Sequence, residues 1–402
     1  MNTFVIRSRH LLFKLLTKGM RFPEPVELVG AGKSSEIHTL LTEKRLKKVL
    51  IVTDKHLLML QIIDEVIDSL RRNGIDYIIY NGVQPNPTIA NVNEGAAIYK
   101  ENSCDCIIAF GGGSSIDCAK IIGAKISNKK EVEAMKGLFK IRKKPPFLLA
   151  IPTTAGTGSE ATLAAVILND RNEKFVILDP KIMPEAYCLD PLLLKTLPKS
   201  LTASTGMDAL THAVEAFIGW HGTEYTNDCA IRATRIIFDC LEKSFEDGDD
   251  EAMRMQMLKA SNYAGRAFTR ASIGYVHAIA HTIGGVYQTP HGLANAVVLP
   301  YVLEESKEKA MKKLALMARE IGLGSEQESD ESMTEIFINR IQDLRSKLEL
   351  PDKLSVIRKR DIPYLAERIE KEGNPAYPVP KIMSKKDFIR LLHLIRGSAD
   401  ED

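Results

Sequence analysis

Four apolar runs in the first half of the chain constrain the fold more than any other feature. They are typical of buried strands and cover residues 47–54, 77–80, 106–110 and 147–151. Helical patterns lie between them, and strands that alternate with helices predict a parallel sheet with helices on both faces. Residues 161–179 instead predict a β-hairpin that turns at 169–172. Because ligands of parallel sheets bind beyond the carboxyl ends of the strands, the loops there are candidates for function.

Beyond Pro198 the hydrophobic period becomes that of helices. The helical patterns cover residues 204–218, 226–243, 251–268, 274–283 and 293–321, and three more follow before the C-terminus. A chain of 402 residues is too long for one ordinary core. We therefore predict an α/β dinucleotide-binding domain at 1–196, of which 1–23 is an extra segment, and an all-helical metal and substrate domain at 197–402.

Charge and cysteine content narrow the class of partner and the compartment. The formal net charge is +2, so neither nucleic acid nor a membrane is expected as a partner. The six cysteines show no zinc-finger spacing and no disulfide framework, which favours the cytoplasm. Residues 1–20 are basic and lack acids. This segment is read as a helix packed on the protein's own surface, with a targeting or membrane-surface helix as the alternative.

Two pairs of polar residues four positions apart predict a metal site. His277 and His281 share one face of a helix, and Asp208 and His212 share one face of an earlier helix. A third histidine, His291, follows the first pair. Two helices that direct nitrogen and oxygen donors to a common point would bind a divalent metal ion.

The residues around the histidines limit what such a site could do. The pair Gly284-Gly285 predicts a turn after the helix, and Pro290 stiffens the approach to His291. Ala278 follows His277, where the metalloprotease motif requires glutamate as the general base. A metalloprotease of that class is therefore not expected.

Two loops follow the third and fourth predicted strands. The first is Gly111-Gly-Gly-Ser-Ser-Ile-Asp-Cys-Ala-Lys120, and the second is Pro152-Thr-Thr-Ala-Gly-Thr-Gly-Ser-Glu160. Glycines between a strand and a helix let a diphosphate approach backbone N–H groups and the positive helix N-terminus. The second loop is rich in hydroxyl groups and backbone donors. Either loop alone also fits an ordinary polar surface loop.

Four motifs together resemble the iron-containing (group III) alcohol dehydrogenases, and the lactaldehyde/propanediol oxidoreductase branch is especially similar. The motifs are the two loops above, Gly-Met-Asp-Ala-Leu-Thr-His-Ala-Val-Glu-Ala and His-x3-His-x9-His. They follow the family's order from about residue 24 to 396. The resemblance implies a Rossmann-like α/β domain with a parallel sheet. It also implies an all-α C-terminal metal-binding domain, the combination known as the dehydroquinate synthase-like or iron alcohol dehydrogenase fold.

The resemblance also implies roles for single residues. It assigns metal ligation to Asp208, His212, His277 and His291. It makes His281 a proton-relay candidate near the nicotinamide and the metal. It assigns dinucleotide contacts to Asp54, Asn86, Gly112, Gly113, Ser114, Asp117, Thr153, Thr154, Thr157 and Lys174. Iron(II) is the expected metal, although these donors also accept zinc or other divalent ions.

The expected reaction transfers hydride between NAD(H) and a small primary alcohol or diol and its aldehyde. The carboxylate of Asp54 favours NAD over NADP, and a homodimer is expected. A zinc-dependent glycerol or polyol dehydrogenase of the same fold is the alternative enzyme. A nucleotide-free metal hydrolase and a non-catalytic scaffold are the alternatives from other classes. The sequence does not identify the physiological alcohol.

Overall fold

The computed structural model describes residues 3–17, 22–171, 173–325 and 327–397 and divides them into two compact units. The first unit contains residues 22–198 and 248–262. The second contains the helix Thr3–Thr17, residues 199–247 and the described chain from Tyr263 onward. The prediction counted residues 1–23 with the first domain, and of these 1–2 and 18–21 lie outside the described residues. Ile6 and His10 are buried on the N-terminal helix, which belongs to the helical unit.

Nine strands in the described residues form two sheets, both in the first unit. They are β1 (Val26–Val29), β2 (Lys48–Val52), β3 (Asp76–Tyr80), β4 (Cys106–Gly111), β5 (Gly137–Leu138), β6 (Phe147–Pro152), β7 (Ala164–Leu168), β8 (Lys174–Leu178) and β9 (Ala186–Leu189). The larger sheet has the order β1-β9-β6-β4-β2-β3, and all its pairings are parallel. The predicted parallel sheet is confirmed.

The smaller sheet contains the predicted hairpin. β7 and β8 pair antiparallel, and β5 pairs with β8. Asn169 accepts the backbone N–H groups of Arg171 and Glu173, at 3.0 and 2.9 Å, and so closes the turn. The turn residue Asn172 lies outside the described residues. The hairpin prediction is confirmed, because polar turn residues between two apolar runs fix the reversal locally.

Fourteen α-helices accompany the sheets in the part of the chain that the structure describes. They are α1 (Thr3–Thr17), α2 (Ile37–Glu43), α3 (Lys55–Met59), α4 (Asp64–Arg72), α5 (Ile89–Glu101), α6 (Gly113–Asn128), α7 (Lys199–Ile218), α8 (Glu224–Glu246), α9 (Glu251–Ala271), α10 (Tyr275–Tyr287), α11 (His291–Glu320), α12 (Asp330–Lys347), α13 (Ile362–Ala376) and α14 (Lys385–Arg396). The predicted helical half is therefore confirmed. None of these helices combines the length and apolar character that crossing a bilayer requires.

Two local predictions were wrong. The helical pattern predicted between the first two strands is split into α3 and α4, because Gln61 takes a left-handed conformation with φ of 57°. The turn predicted at Gly284-Gly285 is absent from α10, which continues through both glycines. The helix ends at Tyr287 instead, and the C-cap residue Gln288 has φ of 57° and a backbone N–H that still donates to Gly284 O at 3.0 Å.

Helix α7 lies at the centre of the helical unit. Sixteen of its twenty residues are buried, so the helix is covered on almost all sides. A helix that is buried all round is surrounded by other elements, and α7 packs against α8 and α11. A polar side chain on α7 therefore lies in the core, where it needs specific partners. Asp208 and His212 are such side chains.

Candidate metal centre and nucleotide-binding loops

The carboxylate of Asp208 is the focus of the predicted metal site. Its Oδ1 lies 3.5 Å from Nε2 of His291 and 3.7 Å from Nε2 of His277. The donor atoms of these three residues all lie within 4.8 Å of one another. Burial raises the pKa of the Asp208 carboxyl, but the three imidazoles around it outweigh burial and hold the pKa below its usual range. The structure thus brings two nitrogens and one anionic oxygen to one point.

This donor set fits a divalent metal ion. Metal–nitrogen and metal–oxygen bonds of about 2.1 Å at tetrahedral angles place neighbouring donors about 3.4 Å apart. The measured separations of 3.5 and 3.7 Å lie close to that value. Imidazole and carboxylate donors suit iron(II), zinc, cobalt, nickel or manganese, so the donors alone do not select one metal.

His212 lies beside this set in a different arrangement. Its Nδ1 is 4.0 Å from Oδ1 of Asp208. Its ring is stacked on His277, with centroids 4.4 Å apart, and also on Phe268, with centroids 4.1 Å apart. The compact group of donors contains Asp208, His277 and His291 but not His212. Ligation by His212 therefore stays a prediction.

A buried carboxylate on α7, which the sequence analysis did not single out, orients His277. Oε2 of Glu215 lies 2.6 Å from Nδ1 of His277 and accepts the backbone N–H of Gly274 at 2.8 Å. Oε1 accepts the N–H of Val276 at 2.7 Å. An ionised carboxylate only accepts hydrogen bonds, so Nδ1 carries a hydrogen and Nε2 is the nitrogen that faces the cluster and can bind a metal ion.

The same contacts govern the protonation of His277. Burial lowers the pKa of this imidazole, but hydrogen bonds to Asp208 and Glu215 outweigh burial and raise the pKa to about 9. A metal ion binds the unprotonated Nε2, so it must displace a proton that these carboxylates hold. Metal affinity is therefore expected to fall as the pH is lowered through the pKa of His277, about 9.

Asn295 is a second residue that the sequence analysis missed. It lies on α11, one turn after His291, and its side chain is fully buried. Its Nδ2 donates to Oδ1 of Asp208 at 2.6 Å and lies 3.4 Å from Nε2 of His277 and 3.2 Å from Nε2 of His291. An amide N–H group directed at the three donor atoms shows that this point attracts positive charge, as a metal site should.

Two glycines let the backbone approach closely around the cluster. A Cβ on Gly292, the residue after His291, would lie 2.3 Å from the carbonyl oxygen of Ser204 on α7. A Cβ on Gly274 would lie 2.7 Å from Oε1 of Glu215. The contact at Gly292 is with main chain, so that position requires glycine, whereas a side chain at Gly274 would displace the Glu215 carboxylate. Gly292 lets the start of α11 pack closely against α7. Gly274 leaves space for the Glu215 carboxylate at the start of α10.

The cluster has one open side. The side chains of His277 and Asp208 retain only 1% and 4% exposure, whereas that of His291 retains 33%. His281 and Glu372 continue this exposed side, with 22% and 35%. A small molecule can therefore reach the donor atoms from the side of His291 and His281.

In the first unit, the glycine loop lies at the carboxyl end of β4. Gly111 pairs with Pro152 in the sheet, so the loops that follow β4 and β6 are neighbours. A Cβ on Gly112 would lie 3.2 Å from Thr154, and one on Gly113 would lie 2.7 Å from Thr157. Helix α6 begins at Gly113 without a side-chain cap. Its first N–H groups therefore suit a diphosphate.

The remaining predicted nucleotide residues differ in their contacts. The backbone N–H of Asn86 lies 3.4 Å from Oγ of Ser114, which joins the loop after β3 to the glycine loop. Thr153 is buried, and its N–H donates to Gly111 O at 3.2 Å. Lys174 begins β8.

Two predicted carboxylates have structural partners of their own. Asp117 accepts Oγ–H of Ser159 at 2.6 Å on one oxygen and N–H of Val166 at 2.8 Å on the other. Asp54 caps α3, because its Oδ1 accepts the N–H of Leu57 at 3.0 Å. The cap leaves the second oxygen of Asp54 available, whereas both oxygens of Asp117 bond inside the unit. The nucleotide roles of both residues stay predictions.

Comparison with known proteins covers both halves of the chain. The family model described as iron-containing alcohol dehydrogenase matches residues 25–191, and the model described as Fe-containing alcohol dehydrogenase family, C-terminal, matches residues 202–395. 1,3-Propanediol dehydrogenase of Citrobacter freundii is 38% identical over 350 residues, which is 86% of this chain and 90% of that protein. Lactaldehyde reductase of Escherichia coli (strain K12) is 35% identical over 374 residues, or 90% and 96%. A crystal structure of 1,3-propanediol oxidoreductase aligns with a TM-score of 0.89 at 36% identity, covering 92% of this chain and 98% of that chain.

Proposed function

The chain belongs to the iron-containing alcohol dehydrogenase family, and from this premise we propose that it transfers hydride between NAD(H) and a small primary alcohol or diol. The protein is an alcohol oxidoreductase of the metal- and NAD(H)-dependent type. The family match favours it over the zinc polyol dehydrogenase considered from the sequence. The observation that carries the proposal is the convergence of Asp208, His277 and His291 on one point.

Asp208, His277 and His291 would hold the metal, with His212 as the fourth ligand that the family resemblance implies. A divalent cation there supplies Lewis acidity to an alcohol or aldehyde oxygen, while the nicotinamide accepts or supplies the hydride. We assign iron(II) as that cation. Glu215 keeps Nε2 of His277 directed at the donor point.

The nucleotide would be bound by the loops that follow β2, β3, β4 and β6 in the first unit. The first N–H groups of α6 would hold the diphosphate, because Gly112 and Gly113 leave the backbone bare of side chains. Asp54 would accept the ribose hydroxyl groups through the oxygen that does not cap α3.

His281 would exchange the hydroxyl proton of the substrate. Its ring is stacked on His291, with centroids 5.3 Å apart, on the open side of the cluster. Its Nδ1 is engaged by Glu372, so Nε2 is the nitrogen that can accept a proton.

Substrate, assembly and compartment complete the proposal. The names of the relatives point to C3 diols and their aldehydes as the first substrates to test. We assign a homodimer, which sedimentation of the purified protein tests. The six cysteines are all buried and none of them is in a disulfide bond, which suits the reducing cytoplasm assigned from the sequence.

A metal analysis joined to an activity screen tests the function. The protein is purified without oxygen, its metal content is measured, and NADH oxidation is followed with C2–C6 aldehydes and diols. We expect one divalent metal per chain and turnover of a C3 aldehyde. Turnover that survives complete metal removal would contradict the proposal, and a hydrolase would bind no NADH.

Replacing Asp54 with glycine is expected to admit NADP. A carboxylate at the ribose repels a 2′-phosphate by about 1 kcal/mol even at the dielectric of water, so kcat/KM with NADP should rise at least about fivefold. Glycine is tolerated at a helix N-cap, so the free energy of unfolding should fall by only a few tenths of a kcal/mol. Steady-state kinetics with both nucleotides measure the change.

Ser329→Gly is the matched control for this variant. Ser329 caps α12 in the helical unit through the N–H of Ser332, so its replacement changes a cap without touching the nucleotide loops. Nucleotide preference should stay as in the wild type. A folded Asp54→Gly protein that gains no NADP activity would show that Asp54 serves only as a cap.

A further inference from the structure

His281 is held by a carboxylate from another helix. It lies one helical turn after His277 on α10, and its Nδ1 is 2.7 Å from Oε1 of Glu372 on α13. The hydroxyl group of Tyr377 donates to the same oxygen at 2.8 Å. His281, Glu372 and Tyr377 therefore form a hydrogen-bonded chain that begins on the open side of the cluster.

This contact determines which nitrogen of His281 carries the hydrogen. An ionised carboxylate accepts hydrogen bonds and donates none, so Nδ1 must be the donor. Nε2 then presents a lone pair, the opposite of the tautomer that free histidine favours. The partner of one ring nitrogen sets the role of the other. Tyr377 holds the accepting oxygen in place, since it donates to that atom from a second direction.

Glu372 differs from Glu215 in its exposure and in the groups that it contacts. Glu215 contacts His277 in the same way, at 2.6 Å, but it is 3% exposed and also binds two backbone N–H groups. Glu372 is 35% exposed, and within the described chain its hydrogen bonds go only to His281 and Tyr377. A hydrogen bond between side chains this exposed adds little stability. The contact therefore bears on the state of His281 rather than on the fold.

We propose that Glu372, held by Tyr377, is a positioning residue that fixes His281 in the Nδ1–H tautomer, so that Nε2 is the proton acceptor on the open side of the cluster. The proposal deepens the dehydrogenase function and rests on it. It assigns no metal contact to Glu372. It separates the two carboxylates by role, because Glu215 orients a metal ligand and Glu372 orients the group that exchanges the substrate proton.

The test compares four proteins: wild type, Glu372→Ala, Glu372→Gln and Glu367→Gln. Glutamine retains the size of the side chain and one acceptor oxygen, so it should rescue most of the activity lost in the alanine variant. Glu367 is the control, because it lies on the same helix α13 but pairs with exposed Lys385. Glu367→Gln removes one charge from α13 without touching His281.

Two readouts are combined. Tautomers are read from the ¹⁵N shifts of histidine-labelled, zinc-loaded full-length protein, with the His281 signals assigned from His281→Ala. Kinetics and metal content are measured on the loaded enzyme. For Glu372→Ala we expect kcat to fall about 10- to 100-fold, KM to change less than about threefold and metal content to stay the same. The His281 signals should shift toward the Nε2–H tautomer.

Each other outcome contradicts the proposal. An unchanged tautomer in Glu372→Ala, with or without a loss of kcat, would show that the carboxylate does not set it. A loss of metal that matches the loss of kcat would make Glu372 part of the metal centre. If the wild type shows no NADH-linked turnover, the dehydrogenase function fails, but the tautomer spectra still decide whether Glu372 controls His281.

Discussion

Replacing His277 with alanine is expected to lower kcat by on the order of 10³-fold or more, because Lewis acidity contributes several kcal/mol to such reactions. The variant loses an Nε2 donor 3.7 Å from Oδ1 of Asp208. It also removes a ring that is only 1% exposed, so no solvent group replaces the donor without rearrangement. NADH should still bind, since the nucleotide loops belong to residues 22–198. Metal analysis, steady-state kinetics and calorimetric titration with NADH measure the three effects.

His393→Ala is the control, because His393 is an exposed histidine in the same unit. It should retain metal, turnover and NADH binding. His291→Ala should behave as His277→Ala does. An equal loss of NADH affinity and turnover in the His277 variant would show that the assignment of the metal centre is wrong, as would full metal content with full activity.

His212 needs a variant that separates ligation from stacking. Its ring is stacked between His277 and Phe268, so alanine would remove both a donor and a stacking partner. Phenylalanine keeps the stack and removes the donor. If His212 is the fourth ligand, His212→Phe loses metal together with turnover. If the ring only supports His277, His212→Phe retains both.

Replacing Glu215 with alanine is expected to lower the free energy of unfolding by about 3–5 kcal/mol, the usual cost of breaking a buried charged contact. Two backbone N–H groups and Nδ1 of His277 would lose their acceptor inside the helical unit. Metal affinity should also fall about 10- to 100-fold, because Nε2 would no longer be held toward the donor point. Urea unfolding with and without metal, and competition with a chelator, measure the two losses.

Two further variants serve as comparisons for this prediction, Glu215→Gln and Glu308→Ala. Glutamine fills the same space, but its amide group faces at least one N–H donor, so an intermediate loss is expected. Glu308 is 85% exposed, and its removal should change the free energy of unfolding by less than about 0.5 kcal/mol. A Glu215→Ala protein as stable as the Glu308 control would mean that the three donors find other partners.

Local chemistry predicted the elements, and distant contacts set where some of them end. The central strands were predictable because they are apolar along their whole length, as β4 is. The pairing of β1 with β9 at the edge of the sheet was not predictable, because it joins residues about 160 positions apart and neither strand is long. The end of α10 was misplaced because glycine is permitted inside a helix, and here Gly284 still accepts the last helical bond from Gln288.

Spacing along single helices predicted the pairs Asp208/His212 and His277/His281, and the family resemblance supplied the predicted ligand set. The residues that support this set were only partly predictable. Glu215 lies seven residues after Asp208 on one face of α7, and Asn295 lies four after His291, so the same periodicity would have found both. No comparable signal exists for Glu372. It is 91 positions from His281, and only the packing of α13 against α10 brings the two together.

The close approach at Gly292 has a consequence for how this protein can change over time. The start of α11 packs against the main chain of α7 at Ser204. This contact between two backbones sets the distance between His291 and Asp208. Side chains on the open side of the cluster, other than the donor His291 itself, take no part in that contact. They can be exchanged without altering the distance between the donors. The fold therefore keeps the geometry of the metal donors constant. It leaves the side chains that select the alcohol free to diversify.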